Sequence, residues 1–256
     1  DTFVRSGRVT FLPMSEYEGD GRITSIVDPE LVTTVNARRR VVDARYSNVQ
    51  VPSICPPRYE VDPDVTLVTP NELARTSRPW ERYVIIGAGK TGIDSILFLL
   101  DNGVSPERIR WIMPNDAWLL DRGMMQPDLV LDTVVAMVES IADADRTQDA
   151  FLDLERQGVV FRLDRDSLPP KWRCATVDRR EFAEPQRVKD VVRLGRVQHV
   201  GPREVRLDEW TLEHGEDTLF VDCSANGLAK LDPVPIFAPD RVTLQVKYQG
   251  CADLGI

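Results

Sequence analysis

The sequence predicts an α/β fold in which a parallel sheet carries helices on its faces, preceded by an antiparallel β-meander. Three observations lead to this prediction. A continuous apolar run, RYVII at 82–86, is followed at once by a glycine-rich loop and an amphipathic stretch. A second apolar run, RIRWIM at 108–113, follows at the distance that a right-handed βαβ unit needs. Short runs of β-branched and aromatic residues, separated by turn residues, fill much of the first 46 positions.

The composition is that of a globular protein and disfavours several functional classes. The chain has 256 residues, of which 42% are hydrophobic, enough for one large or two modest domains. Its 41 acidic residues outnumber its 32 basic ones and give a net charge of -9, so no positive field favours nucleic acid. The apolar runs are short and interrupted, so neither a membrane span nor a secretory signal is predicted, and the expected location is the cytoplasm.

The N-terminal part, residues 1–79, is predicted to hold the meander and a linker. Runs such as RITSIVD at 22–28 and RRRVVDARY at 38–46 are rich in β-branched residues, so residues 8–46 are expected to form antiparallel strands. Residues 51–79 contain six of the 18 prolines, a composition that predicts an extended linker without a helix. The first domain boundary is therefore expected at residue 79.

The second domain, residues 80–228, is predicted to alternate strands and helices. After the first strand, Ile93, Ile96, Leu97 and Leu100 recur at i, i+3, i+4 and i+7, so they share one helical face. Asn102-Gly103 supplies a stop signal for that helix. The remaining predicted elements are helices at 128–141 and 146–157, a strand at 159–163, three short antiparallel strands within 191–207, a buried strand from 218, and a return segment at 229–256.

The loop after the first strand carries the spacing of a dinucleotide-binding turn. A Gly-x-Gly-x-x-Gly pattern falls at Gly87, Gly89 and Gly92. In that pattern the first glycine makes the turn, the second lets a pyrophosphate approach, and the third lets the helix pack on the strand. We therefore predict a Rossmann-like dinucleotide-binding fold. The predicted cofactor-binding residues in the loop are Gly87, Ala88, Gly89, Lys90, Thr91 and Gly92.

The same loop also contains Gly-Lys-Thr, the end of a nucleotide-hydrolase P-loop. That loop needs an earlier glycine, which would fall on Val84, inside the strand. The spacing therefore rejects the P-loop. Thr91 is then expected in the first helical turn, close enough to bond phosphate, and Lys90 is either a phosphate contact or a solvated residue. A glycine-rich βα turn that binds nothing remains the structural alternative.

The group that distinguishes NAD from NADP is expected at the tip of the second strand, which ends at Met113. A carboxylate there favours NAD, because it accepts both ribose hydroxyls and repels a 2′-phosphate. The tip holds no acid; Pro114, Asn115 and Asp116 follow it. Asp116 is a candidate for the ribose or for a cap on the next segment, and Arg122 is a candidate for the 2′-phosphate. NADP is favoured over NAD, and both stay candidate cofactors.

The chain offers few candidates for acid, base or nucleophile, and no catalytic residue is assigned. His199 and His214 are expected to be structural or exposed, and Cys223 to be a small buried thiol. The four cysteines form no Cys-x-x-Cys pair, which disfavours a redox dithiol and a close-spaced metal site. Asp222 and Asn226 follow a buried strand, where parallel sheets bind ligands. Trp111, Trp118 and Trp172 are candidates either for a nicotinamide or substrate cleft or for buried packing.

Two stretches resemble a known family. YVIIGAGKTGIDSILFLLDNGV at 83–104, followed by IRWIMPNDAWLLDR at 109–122, resembles the NAD(P)H-binding domain of flavin-dependent oxidoreductases. That superfamily holds flavin-containing monooxygenases and pyridine nucleotide-disulfide oxidoreductases, and the likeness extends to uncharacterised bacterial members. RRRVVDARYSNVQVP at 38–52 is similar to the strand that leaves the FAD domain, and LFVDCSANGL at 219–228 to the strand that returns to it.

The resemblance implies an FAD- and NAD(P)H-dependent oxidoreductase in which hydride passes from nicotinamide to flavin, with a monooxygenase as one form of it. FAD is implied by the resemblance alone, because the first Gly-x-Gly-x-x-Gly of such proteins is missing from the chain. The expected reason is that the chain is a piece of a longer flavoprotein; loss of FAD is the alternative. A second departure is Asn115, at a position where NADPH-preferring relatives often carry Arg.

Two other functions remain open on the same fold. One is a flavin-free NAD(P)-dependent dehydrogenase, which would need a proton donor that the sequence does not offer clearly. The other is a non-catalytic dinucleotide-binding protein. The expected partners are a small-molecule substrate and, as a candidate, a second copy of the chain; neither nucleic acid nor a membrane is expected.

Overall fold

The structure is a computed structural model that describes residues 2–46, 49–225, 227–228 and 231–245. Its strands are β1 Ser15–Gly19, β2 Arg22–Ser25, β3 Val32–Thr34, β4 Val41–Asp43, β5 Val49–Gln50, β6 Glu60–Val61, β7 Thr66–Val68, β8 Arg82–Ile86, β9 Ile109–Ile112, β10 Ala117–Asp121, β11 Val160–Phe161, β12 Lys171–Val177, β13 Asp190–Val192, β14 Val197–Val200, β15 Glu204–Leu207, β16 Thr211–Glu213, β17 Thr218–Asp222, β18 Gly227–Leu228 and β19 Arg241–Thr243. Its α-helices are α1 Thr2–Arg5, α2 Pro70–Leu73, α3 Lys90–Asp101, α4 Val130–Ala142, α5 Thr147–Arg156 and α6 Arg179–Ala183. Three 3-10 helices span Pro106–Arg108, Arg122–Met125 and Glu184–Arg187.

The chain divides into two compact units, and the smaller one contains the meander. It comprises Asp1–Asn48 and Lys230–Val246, and the larger unit comprises Val49–Ala229 and Lys247–Ile256. In the smaller unit, β1, β2 and β3 form the antiparallel meander that the sequence predicts. β4 does not extend it, because it pairs in parallel with β19 from the far end of the chain. A short-range pattern cannot predict such a distant partner.

The larger unit is built around a five-stranded parallel sheet with the order β13-β9-β8-β17-β7. Its central strand is buried on both faces. Tyr83 and Ile85 pack with α3 in one apolar cluster, whereas Val84 and Ile86 pack with β14 and β15 in another. The chain is therefore a mixed α/β protein with parallel and antiparallel strand pairing. The second face of β8 packs against a mixed sheet of the order β16-β15-β14-β6 rather than against a helix.

A second small sheet lies between β9 and β13 in the chain. β10 pairs in parallel with β12 and antiparallel with β11, while α4 and α5 follow β10 in sequence. The predicted helices at 128–141 and 146–157 are confirmed as α4 and α5. The sequence did not predict β10 and β12, because the periodicity of a short apolar run does not by itself identify a strand or its partners.

The proline-rich segment is not the plain linker that its composition predicts. β6 and β7 each join a sheet, and Pro70 begins α2. Thr69 and Glu72 form a capping box around that helix start, and a proline in the first turn loses no helical hydrogen bond. The prediction that residues 51–79 contain no helix was therefore wrong.

One predicted antiparallel strand is parallel instead. β13 pairs in parallel with β9 and forms one edge of the main sheet, while β14 and β15 do form the predicted antiparallel pair. The direction of pairing depends on where the chain re-enters a sheet, which residues 191–207 alone do not encode. Among the helices of the described residues, none is long and apolar enough to cross a membrane.

Candidate functional site

The glycine loop lies at the carboxyl edge of the parallel sheet. Ile86 at the end of β8 is paired on one side with Ile112 of β9 and on the other with Asp222 of β17. The segments that follow these three strands therefore leave the sheet at the same edge. Ligands of open α/β sheets bind at this edge.

Two of the three glycines are required by close backbone packing. Gly87 has a φ of 128°, and a Cβ added to it would lie 2.7 Å from the carbonyl oxygen of Cys223. A Cβ on Gly92 would lie 2.4 Å from the carbonyl oxygen of Gly87. Both positions exclude any side chain, because the atoms they would meet are backbone atoms.

Trp111 braces this loop from the neighbouring strand. Its indole Nε1 donates a hydrogen bond of 2.8 Å to the carbonyl oxygen of Gly87, and the side chain is buried in the main core. Of the two roles open to Trp111, buried packing is therefore the one observed. The tryptophan also fixes the direction of the Gly87 peptide.

Gly89 differs from the other two glycines because the space around it is open. A Cβ built on it meets no atom within 4 Å, and its backbone is extended with a φ of -84°. It is the N-cap of α3 and has no side chain to cap the helix. Among the hydrogen bonds of the described residues, none is donated by the backbone amides of Ala88, Gly89, Lys90 or Thr91. Within the described part of the chain these four amides thus lack an acceptor, and Gly89 and Thr91 are exposed, an arrangement that anion sites share.

Glu181 on α6 joins two of the predicted basic contacts. Its Oε1 lies 3.0 Å from Nζ of Lys90 and its Oε2 lies 3.0 Å from Nη2 of Arg122. Lys90 also pairs with Asp94, and Arg122 donates to the carbonyl oxygen of Thr176 at 3.1 Å. The two cations are therefore held together at the start of α3 by one shared carboxylate.

The pKa of Glu181 reflects these contacts. Partial burial acts to raise it, but the backbone amide of Asp178 and the side chains of Arg122 and Lys90 outweigh burial and lower the pKa to about 2. Glu181 is therefore ionised at neutral pH. Sequence reasoning missed it, although D-x-x-E at 178–181 has the spacing of the capping box observed at α6.

The two candidates after β9 are in different environments. Asp116 is buried and accepts hydrogen bonds from Arg193, with Nε at 2.7 Å and Nη2 at 3.3 Å, and from Ser167 Oγ at 3.2 Å. Both of its oxygens thus have partners within the chain. Asn115 is half-buried in the turn that follows β9. A role for either residue at a ribose stays a prediction.

At the end of β17, Asp222 is buried and accepts a hydrogen bond from the Ser224 amide at 2.9 Å. Burial and the charge of Asp222 raise the pKa of Tyr59, so this phenol stays neutral. A cavity of about 390 Å³ opens here, lined by residues 52–57, the end of β7, Glu72 and Asp222. Asn226, predicted beside Asp222, lies outside the described residues.

The remaining titratable candidates have structural partners. Cys223 Sγ lies 3.3 Å from Ser95 Oγ, and burial raises the pKa of the thiol to about 12, which keeps it protonated at neutral pH. His199 Nε2 lies 2.9 Å from Asp62 Oδ1, and the two ring nitrogens of His214 lie 2.9 Å and 3.0 Å from the carbonyl oxygens of Gly215 and Gly201, to one of which the neutral ring donates its N–H. These contacts agree with the structural roles expected for the three residues.

Comparison with known proteins finds similar proteins whose names give no function. No protein-family model matches it. Three curated mycobacterial proteins, one from Mycobacterium bovis and two from strains of Mycobacterium tuberculosis, are 42% identical to it over 251 residues. Each is named an uncharacterized protein. The alignment covers 96% of this chain and 46% of each relative, so the chain spans about half the length of the curated relatives it matches.

Proposed function

We propose that the chain is the NAD(P)H-binding part of an FAD- and NAD(P)H-dependent oxidoreductase. The observation that carries the proposal is Gly89 at the start of α3. Its own packing does not require a glycine, and in the described part of the chain the backbone amides of residues 88–91 donate no hydrogen bond. A pyrophosphate that approaches the backbone closely would explain the absence of a side chain there.

The sheet topology supports a Rossmann-like fold. Counted from β8, the strands β13, β9, β8 and β17 have the order 3-2-1-4 of a doubly wound nucleotide-binding sheet. The chain leaves β8 in one direction for β9 and later returns to the other side of β8 with β17. In that order the strand sequence reverses between β8 and β17, and Gly87 and Cys223, which follow these two strands, approach each other closely at this switch point.

The charges near the loop support NADP over NAD. Lys90 and Arg122 lie within reach of one carboxylate, that of Glu181, so the same two cations can serve one phosphate group. Asp116, the acid that could instead select NAD, is bound to Arg193. Thr91 is exposed in the first turn of α3 and can donate its hydroxyl to phosphate.

When bound, a reduced nicotinamide supplies a hydride, and the flavin implied by the family resemblance would accept it. The residues of this chain supply position. Trp111 and the two packed glycines hold the loop, the amides at the start of α3 face the pyrophosphate, and Lys90 and Arg122 are assigned to the 2′-phosphate. No described residue is assigned to FAD. The proposal that the whole protein uses FAD rests on the family resemblance alone.

The test is a titration of the purified chain with NADPH, NADH and FAD, followed by absorbance and nicotinamide fluorescence. We expect NADPH to bind, and more tightly than NADH. A yellow FAD complex that NADPH bleaches supports the flavoprotein, whereas NADPH binding without flavin favours a dehydrogenase or a non-catalytic binding protein. Failure of both nicotinamides to bind would contradict the proposal.

A further inference from the structure

Helix α4 presents an apolar stripe to the surface. The stripe consists of residues that recur at i, i+3, i+4, i+7 and i+10 and so share one side of the helix: Leu131, Val134, Val135, Val138 and Ile141. Their exposed fractions lie between 47% and 71%. A surface helix ordinarily directs such a stripe towards the core and its polar residues towards water. The arrangement in α4 is the reverse.

Hydrogen bonds hold α4 in this orientation. Thr133 and Ser140, on the opposite side of the helix, are buried. Thr133 Oγ1 donates a hydrogen bond of 2.7 Å to the carbonyl oxygen of Met124, and Ser140 Oγ donates one of 2.7 Å to Asp153 Oδ2. A rotation of α4 that buried the stripe would break both bonds, so the apolar side stays outside.

The stripe is large enough to be an interaction surface. At the observed exposed fractions its five residues expose roughly 450 Å², within the range of about 300–600 Å² for the largest apolar patch of a monomer, which is often functional. Two such stripes in contact would remove about 900 Å² from water. The residues around them would bring this area to about the 1,000 Å² that a specific interface needs.

The side chains of the stripe follow nearly the same order in both directions along the helix. Valines occupy the middle, and Leu131 and Ile141 occupy the two ends. A two-fold interface places one patch against the same patch, so the patch must complement itself when it is reversed. An antiparallel pair of α4 helices meets this condition, because each end of the stripe would contact the opposite end in the second copy.

The charges of α4 disfavour a lipid partner. Asp132 and Glu139 are exposed and border the stripe along one side, and residues 130–142 contain no basic residue. An anionic membrane surface would repel this acidic edge. In an antiparallel pair the acidic edges of both copies lie on the same side and in contact with water, so they repel only weakly. Salt should therefore strengthen the pair.

We propose that α4 is the contact surface of a homodimer in which the stripes of two copies pack antiparallel. The proposal does not rest on the dinucleotide site, because no residue of the glycine loop belongs to α4. The contact area is at the lower end for specific interfaces. We therefore expect reversible association with a dissociation constant of about 1–100 µM.

The test is sedimentation of the purified chain at concentrations from about 1 to 200 µM. We expect the mass to rise with concentration from 29.0 kDa towards twice that value. Val138→Glu places a charge in the middle of the stripe but keeps a good helix former, so it should weaken dimerisation at least about tenfold. The control is Val27→Glu, at an exposed valine of the smaller unit, which should change the dissociation constant by less than about twofold.

Two further measurements locate the contact. Hydrogen exchange of the amides in residues 130–142 should slow at high concentration in the parent chain and not in Val138→Glu. Glu139→Gln, which removes a charge from the acidic edge, should tighten the dimer about twofold, and it still tests the proposal if circular dichroism shows that Val138→Glu is unfolded.

A chain that stays monomeric up to about 200 µM would overturn the proposal and would assign the stripe to a part of the longer relatives that this chain lacks. A dimer that a folded Val138→Glu protein retains at full strength, or that Val27→Glu abolishes, would overturn it as well. Weakening of the dimer by Glu139→Gln would contradict the antiparallel packing.

Discussion

The indole Nε1 of Trp111 donates a hydrogen bond of 2.8 Å to the carbonyl oxygen of Gly87, inside the core of the larger unit. The bond joins β9 to the loop that follows β8. The same carbonyl oxygen is the atom that a Cβ on Gly92 would meet at 2.4 Å. One peptide therefore links the second strand, the turn and the first turn of α3, and the shape of the loop depends on a residue outside its motif.

Replacing Trp111 by Phe tests this link. The ring is kept in part, but the buried carbonyl of Gly87 loses its donor, so we expect the free energy of unfolding to fall by about 1–3 kcal/mol. NADPH affinity should fall as well, because the loop is less fixed. Urea unfolding and a binding titration measure the two effects. Trp210→Phe, at an exposed site, should change stability by less than about 0.5 kcal/mol, and equal stability of the two variants would refute the bracing role.

The three glycines should respond differently to alanine. Gly89→Ala places a methyl group in open space at an allowed φ, so stability should fall by no more than about 1 kcal/mol, the cost of a poorer N-cap. NADPH affinity should nevertheless fall by at least about tenfold, because the methyl group occupies the approach of the pyrophosphate.

Gly87→Ala and Gly92→Ala should instead destabilise the fold by about 2–4 kcal/mol, since each Cβ would overlap a backbone carbonyl. Gly215→Ala is the control, with open space around its Cβ and no role in the loop. Thermal unfolding and NADPH titration compare all four. Unchanged NADPH affinity in a folded Gly89→Ala protein would show that Gly89 does not face the ligand.

The carboxylate of Glu181 should contribute to stability in a defined pH range. Its pKa in the folded chain, about 2, lies below the ordinary value of 4.5, so the contribution is complete above about pH 4.5 and is lost as the pH falls towards 2. Glu181→Gln keeps the capping-box geometry but removes the charge. The Glu181→Gln protein should therefore have a free energy of unfolding about 1 kcal/mol lower than that of the parent chain at pH 7. Solvent screening of the partly exposed contacts keeps this difference small, and it should vanish near pH 2.

The control for that variant is Glu184→Gln. Glu184 lies three residues further along and pairs with Arg187 at 2.6 Å on the surface, so its loss should cost less than about 0.5 kcal/mol. Urea unfolding between pH 2.5 and 7 follows both proteins. A stability difference for Glu181→Gln that stays constant through this range would rule out the linkage.

Arg122 should distinguish the two nicotinamide cofactors. Arg122→Gln removes a cation assigned to the 2′-phosphate, so NADPH affinity should fall about tenfold while NADH affinity stays within about twofold. Glu181→Gln should act in the opposite direction and favour NADPH, because it releases Lys90 and Arg122 from their shared carboxylate.

Arg146→Gln, an exposed arginine outside this network, is the control for cofactor choice. Competition titrations with both nucleotides give the affinity ratio directly. If Arg122→Gln weakened NADPH and NADH equally, Arg122 would not contact the 2′-phosphate, although the glycine loop would remain the binding site.

The strand, glycine turn and helix at 82–101 could be predicted from the sequence, because each depends on residues close together in the chain. A continuous apolar run predicts a buried strand, glycine spacing predicts the turn, and the 3.6-residue periodicity of Ile93, Ile96 and Leu97 predicts the helix face. The meander of β1–β3 and the helices α4 and α5 follow from the same kind of short-range pattern.

The tertiary structure alone decided which distant segments meet. Glu181 reaches Lys90 across 91 residues and Arg122 across 59, and Trp111 reaches Gly87 across 24. Segments that are far apart in the chain also meet where β13 pairs in parallel with β9, and where Trp118, Phe151 and Trp172 line one cavity. Local periodicity specifies what a segment becomes, whereas the packing of whole elements determines its neighbours, and the charges and cavities of the candidate sites arise from those neighbours.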